Sequence, residues 1–134
     1  DSKTAKAVER LSVSVAMSNL RARFPGVEVV EMPPNNPGFD IRVGPESEAL
    51  LHVEVKGTQS AEPVFFMSEG EREFSVRHAT RYELLVVTGI DLVQEEFLEI
   101  HRRSGGVSFE VAELKPSQWR AKLKPELPVS DADG

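Results

Sequence analysis

The stretch from Pro37 to Thr58, PGFDIRVGPESEALLHVEVKGT, sets Asp40, Glu54 and Lys56 into two runs that otherwise alternate like core strands. In FDIRV (39–43), Phe39, Ile41 and Val43 fall on one face and Asp40 and Arg42 on the other. In LLHVEVK (50–56), Leu51, Val53 and Val55 point one way and His52, Glu54 and Lys56 the other. Glu54 and Lys56 are two apart, so they emerge together, about 6–7 Å from each other along the strand. If the two runs pair as a hairpin, Asp40 meets the Glu54 region on that same face. Two carboxylates so close repel each other, and neither ionises comfortably unless a cation lies between them. A hard divalent ion answers this: Mg²⁺ takes oxygen ligands, typically one or two protein carboxylates, and keeps several waters. The ammonium of Lys56 would then orient a water at the ion or offset charge building on a phosphate.

The surrounding elements have to hold these groups in place. Residues 2–24 read as a helix, with Ser2 or Thr4 as cap and two neighbouring apolar stripes, Val8, Leu11, Val15 and Val13, Met17, Leu20, Phe24. Pro25-Gly26 stops it, and VEVVEM (27–32) alternates as a strand. PPNNPG (33–38) is a turn before the strand at 39–43, and GPESE connects to the strand at 50–56. VFFM (64–67) reads as a short strand, and Ser68 with Glu71 forms a capping box opening a helix to about Ala79. YELLVVTG (82–89) has the continuous apolar centre of a strand buried on both faces. Residues 90–96 read as a loop, 97–103 and 107–114 as strands, and 115–123 as a helix led by proline. The order predicts an α/β fold, a mixed sheet flanked by helices. No internal repeat is present.

Composition narrows the classes. The 134 residues suit one domain, placed at 1–124, with 125–134 expected to be a disordered tail. Hydrophobic residues at 40% and charged residues at 28% are ordinary globular usage. No cysteine occurs, which excludes disulfides and thiolate chemistry and suits a cytoplasmic location. No apolar run approaches the roughly 20 residues of a membrane span. The start at Asp1 gives the expectation of a fragment, C-terminal in a larger protein whose other domains are partners. The net charge of −6 is unevenly spread, with −10 over residues 25–100 between flanks of +3 (1–24) and +4 (101–124). An acidic middle between basic flanks fits a metal at the centre and phosphate at the edges, or simply an uneven solvated surface. There is no G-x-S-x-G elbow and no phosphate-binding G-x-x-x-x-G-K loop.

Asp40, a spacer of about a dozen residues, then Glu54-Val55-Lys56 resembles the signature of the PD-(D/E)XK nuclease superfamily. More specifically, the chain resembles the NO VEIN C-terminal domain family, a domain of unknown function, from the opening helix through PGFDIRV, HVEVKGT and FFMSEGEREF to RYELLVV. The resemblance implies a restriction-endonuclease-like mixed central sheet, and a Mg²⁺- (or Mn²⁺-) dependent endonuclease, a hydrolase of phosphodiesters in nucleic acid, DNA first. It implies that Asp40, Glu54 and the backbone carbonyl of Val55 ligate the metal and that Lys56 assists the attacking water. It suggests Glu9, the sole glutamate of the first helix, as an accessory acid, and aligns Glu71 with a family acid that is read here mainly as a cap. Such domains are appended to larger helicase-like or restriction- and defence-related proteins. Many relatives with this fold cut duplexes as dimers, which leaves a homodimer open. A downstream Gln-x-x-x-Tyr element is missing; the nearest aromatic, Tyr82, opens a strand.

The remaining candidates carry two readings each. His52 shares the polar face and either contacts phosphate or the metal shell, or is a surface histidine. Arg42 either neutralises a phosphate or is an ordinary strand charge. Trp119 with Arg120 and Lys122 forms either a stacking platform with a basic rim or a core anchor. The alternative to an enzyme is a catalytically silent nucleic-acid-binding or protein-interaction module on the same fold.

Overall fold

The computed structural model describes residues 1–108 together with 112, 114, 122, 124 and 125. Helix α1 (Ser2–Arg23) is capped by Asp1, whose side chain accepts the N–H of Thr4 at 2.8 Å. The cap is therefore one residue earlier than Ser2, the first of the expected candidates. Arg21 and Arg23 in the last turn oppose the negative end of the helix dipole. Val13, Ala16, Met17 and Leu20 form the buried stripe, while Val8, Leu11 and Val15 are half-buried beside it.

Five strands form one mixed sheet in sequence order: β1 (Val29–Glu31), β2 (Ile41–Val43), β3 (Leu51–Gly57), β4 (Tyr82–Thr88) and β5 (Glu99–Ser104). All neighbours are antiparallel except β3 and β4, which run parallel. A parallel pair needs a crossover, and the segment carrying helix α2 (Glu69–Arg77) supplies it. Ile41, Val43, Val53, Val55 and Leu85 pack against α1. Tyr82, Leu84 and Val86 face the other way, against Phe65, Met67 and Phe74 of the crossover. The period of two thus divides the sheet into an α1 face and an α2 face.

Two devices lock α1 to the sheet. A Cβ on Gly57 would lie 1.8 Å from Ser12 Oγ, so only glycine lets helix and strand approach this closely. Arg23 makes a two-point pair with the buried Glu83 of β4, at 2.6 and 2.9 Å. β4 is buried along its whole length, as its continuous apolar centre predicts.

Residues 64–67 do not form the expected strand. Their alternation is real, since Val64 and Phe66 are exposed while Phe65 and Met67 enter the core. Pro63 offers no N–H, and the N–H of Val64 is spent locally on the carbonyl of Glu62 at 2.8 Å, so the segment crosses the sheet as an unpaired strap. Helix α2 ends at Arg77, short of Ala79, and a 3₁₀ turn at Ala79–Arg81 leads into β4. Nor is there a strand among the described residues of 107–114; the N–H of Ala112 donates to the carbonyl of Ser108, a helical spacing. The helix expected at 115–123 falls outside the described residues but for Lys122, and the tail but for Pro125. Among the described residues no helix is long and apolar enough to cross a membrane.

Candidate active site

Asp40 sits one residue before β2, held by its backbone: its N–H donates to the carbonyl of Val53 at 2.8 Å and its carbonyl accepts from Met32 at 2.8 Å. The β2–β3 register closes with Ile41 opposite Val53, so beyond it β3 has lost its β2 partner. The Asp40 side chain fills that place, Oδ2 accepting the N–H of Val55 at 2.8 Å. In an extended strand the N–H and carbonyl of one residue point to the same side, so the Val55 carbonyl shares this edge with the Asp40 carboxylate.

Glu54 and Lys56 emerge from β3 on the α2 face. Glu54 is only 3% exposed, and its Oε2 lies 3.2 Å from Lys56 Nζ. The same ammonium lies 3.0 Å from Glu71 Oε1. Glu71 completes the α2 capping box: its N–H donates to Ser68 Oγ at 3.1 Å and its Oε1 accepts the N–H of Ser68 at 3.0 Å. One glutamate therefore ties a helix start to the strand lysine.

Burial pushes the Glu54 carboxyl up to about 10, and the charge of neighbouring Asp40 adds to this against the opposing pull of Lys56. Burial disfavours the Lys56 charge, but Glu54 and Glu71 outweigh it and hold the ammonium above its ordinary range. Burial likewise opposes the Glu71 charge, yet the Ser68 N–H and Lys56 keep its carboxyl below the usual range. The stable arrangement is an ion pair of Lys56 with Glu71, beside an Asp40–Glu54 pair that resists carrying two negative charges.

Two features of this neighbourhood are not legible in the sequence, the contact of Glu71 with Lys56 and the burial of the Tyr82 hydroxyl. Glu71 is the cap that its spacing from Ser68 predicts, but its contact with Lys56 arises only when α2 folds over β3. Tyr82, across from His52 in the β3–β4 register, is 1% exposed, and its hydroxyl has no partner among the described residues. Burial first, then the charges of Glu54, Glu71 and Asp40, drive that phenol upward.

The other candidates lie apart. His52 shares the face but packs in an aromatic group, its ring 4.5 Å from Phe39, 5.9 Å from Phe74 and 6.0 Å from His78. Its Nδ1 is buried without a partner among the described residues, and burial, followed by His78 and nearby arginines, pulls its pKa down. Arg42 is engaged by Glu28 at 2.8 Å and by the Gly44 carbonyl at 2.9 Å. Glu9 is exposed on α1, which covers the opposite face of the sheet, so the structure does not bring it to Glu54. Lys122 is exposed; Trp119 and Arg120 fall outside the described residues.

As oxygen donors, Asp40, Glu54 and the Val55 carbonyl suit a hard divalent ion that keeps most of its water. Among the described residues no group of three His, Cys, Asp or Glu side chains is placed to hold a metal, so waters would have to complete the shell.

No curated protein and no solved structure matches the chain. The family model described as Protein NO VEIN, C-terminal, matches residues 8–100, which span α1 to the start of β5 and contain Asp40, Glu54, Lys56, Glu71 and Tyr82. The chain belongs to the Protein NO VEIN, C-terminal, family.

Proposed function

We propose that this domain is a divalent-cation-dependent nuclease of the PD-(D/E)XK kind, with a restriction-endonuclease-like core, hydrolysing phosphodiester bonds of nucleic acid, DNA first. The observation that carries the reading is the joint placement of Asp40, Glu54 and Lys56. Asp40 is fixed beside Glu54 by the 2.8 Å bond to Val55, and Lys56 Nζ lies 3.2 Å from Glu54. Asp40 and Glu54, with the Val55 carbonyl, would hold Mg²⁺ or Mn²⁺. Such an ion, when bound, offsets charge on a phosphoryl oxygen and lowers the pKa of water. With Glu54 ionised, Lys56 is the cation that positions the attacking water and meets charge developing on the phosphate. Glu71 keeps that lysine charged and turned toward the strand end. The place of the domain within a larger restriction, defence or helicase-type protein belongs to the same proposal.

A second reading, a module that binds nucleic acid or protein without turnover, draws on a different observation. The Lys56 ammonium is held between Glu54 and Glu71 at 3.2 and 3.0 Å, already engaged by protein groups and paired in charge with Glu71. A cleavage assay on plasmid and single-stranded DNA with Mg²⁺ or Mn²⁺ separates the two. The nuclease reading predicts cutting that falls about 10²- to 10⁴-fold in Lys56→Ala, the usual size of a proton-transfer contribution. Equal inertness of wild type and Lys56→Ala, with DNA retained by both, establishes the module instead.

A further inference from the structure

Tyr82, like its strand neighbour His52, lies on the α2 face with a buried polar atom that has no partner among the described residues and that the proposed site does not yet use. It opens β4 opposite His52, and Leu84, two residues on, pairs with Glu54. Tyr82 and Glu54 are therefore diagonal neighbours on one face of adjacent strands about 4.8 Å apart, within the reach of an aromatic side chain. The ring is a core element with Leu84, Val86 and Val107. Phenylalanine would supply that packing equally well. The oxygen adds only a hydroxyl that is buried without a partner among the described residues, and such a group destabilises a fold unless something arrives to satisfy it.

The phenol carries one proton to donate. The register partner of Tyr82, His52, carries the other buried atom without a partner among the described residues, Nδ1, an alternative acceptor. The carboxyl groups of Glu54, Glu71 and Asp40 are close enough for their charge to act on the phenol. Mg²⁺ or Mn²⁺ between Asp40 and Glu54 would bring ordered water with it. We propose that Tyr82 is a positioning residue of this cation site, donating its hydroxyl proton to a water of the ion's hydration shell held between the phenol and Glu54. The inference rests on the cation reading given above and adds an outer partner to it. Outer partners of this kind tune affinity without touching the ion.

The test compares wild type with Tyr82→Phe, by thermal unfolding without metal and by calorimetric titration with Mn²⁺. Removal of an unsatisfied hydroxyl should leave the metal-free melting temperature unchanged or raised. Loss of the outer partner should weaken the Mn²⁺ Kd about tenfold. A Tyr82→Phe protein that binds Mn²⁺ as wild type does overturns the role of Tyr82 and leaves the cation site standing. A lowered metal-free melting temperature with unchanged Mn²⁺ affinity assigns the hydroxyl to the fold and overturns it as well. Wild type that takes up no Mn²⁺ removes the cation reading and this inference together.

Discussion

The carboxylate of Asp40 accepts the backbone N–H of Val55 at 2.8 Å, taking the place a β2 carbonyl would occupy had the strand run further. One side chain thus ends a β-ladder and sets a negative charge beside Glu54. The two tasks separate by substitution.

Asp40→Asn keeps an oxygen acceptor for Val55, whereas Asp40→Ala leaves that N–H without it. The alanine variant should lose about 1–2 kcal/mol more stability than the asparagine variant in urea unfolding. Equal losses would mean that the bond to Val55 contributes nothing and that only the charge matters.

Glu54 makes stability fall with pH. Its folded pKa, about 10, stands well above its ordinary unfolded value. The stabilising difference is therefore complete below the carboxylate range and is lost as pH rises toward the folded value. Over pH 5 to 8 the folded protein retains a proton that the unfolded chain has released, a slope of up to about 1.4 kcal/mol per pH unit. Glu54→Gln lacks that term, so its stability relative to metal-free wild type should grow steadily across this range in chemical unfolding. Parallel curves for the two proteins would show that Glu54 is ionised in the fold.

Glu71 couples the α2 cap to Lys56. Glutamine preserves the capping box and removes the charge, so Glu71→Gln should retain most of the cap while Glu71→Ala loses about 1 kcal/mol. If the two variants are destabilised alike, the ion pair with Lys56 outweighs the cap.

The strand geometry behind these residues was readable because period two is local. The alternation in 50–56 places Glu54 and Lys56 on one face, and they lie 3.2 Å apart there. At 39–40 the alternation breaks: Phe39, expected beside Ile41 and Val43, packs on His52 and Phe74 of the other face, and Asp40 joins the site through the Val55 N–H. The capping box was equally legible, since Ser68 and Glu71 are three residues apart. What escaped depends on how elements cross. The second partner of Glu71 lies 15 residues back, and Tyr82 comes to lie beside His52, two residues along β3 from Glu54, only because β4 pairs with β3 in parallel. The same limit explains Glu9: helix periodicity says which side of α1 is apolar, not which face of the sheet it covers. At 64–67 alternation signalled burial correctly, but an unpaired strap alternates as a strand does.

Calorimetric titration of the domain with Mg²⁺ and Mn²⁺ tests the cation site most directly. Wild type should bind a single ion, and neither Asp40→Ala nor Glu54→Ala should bind one at comparable affinity. No heat of binding in wild type, or the same isotherm in all three proteins, would contradict the account.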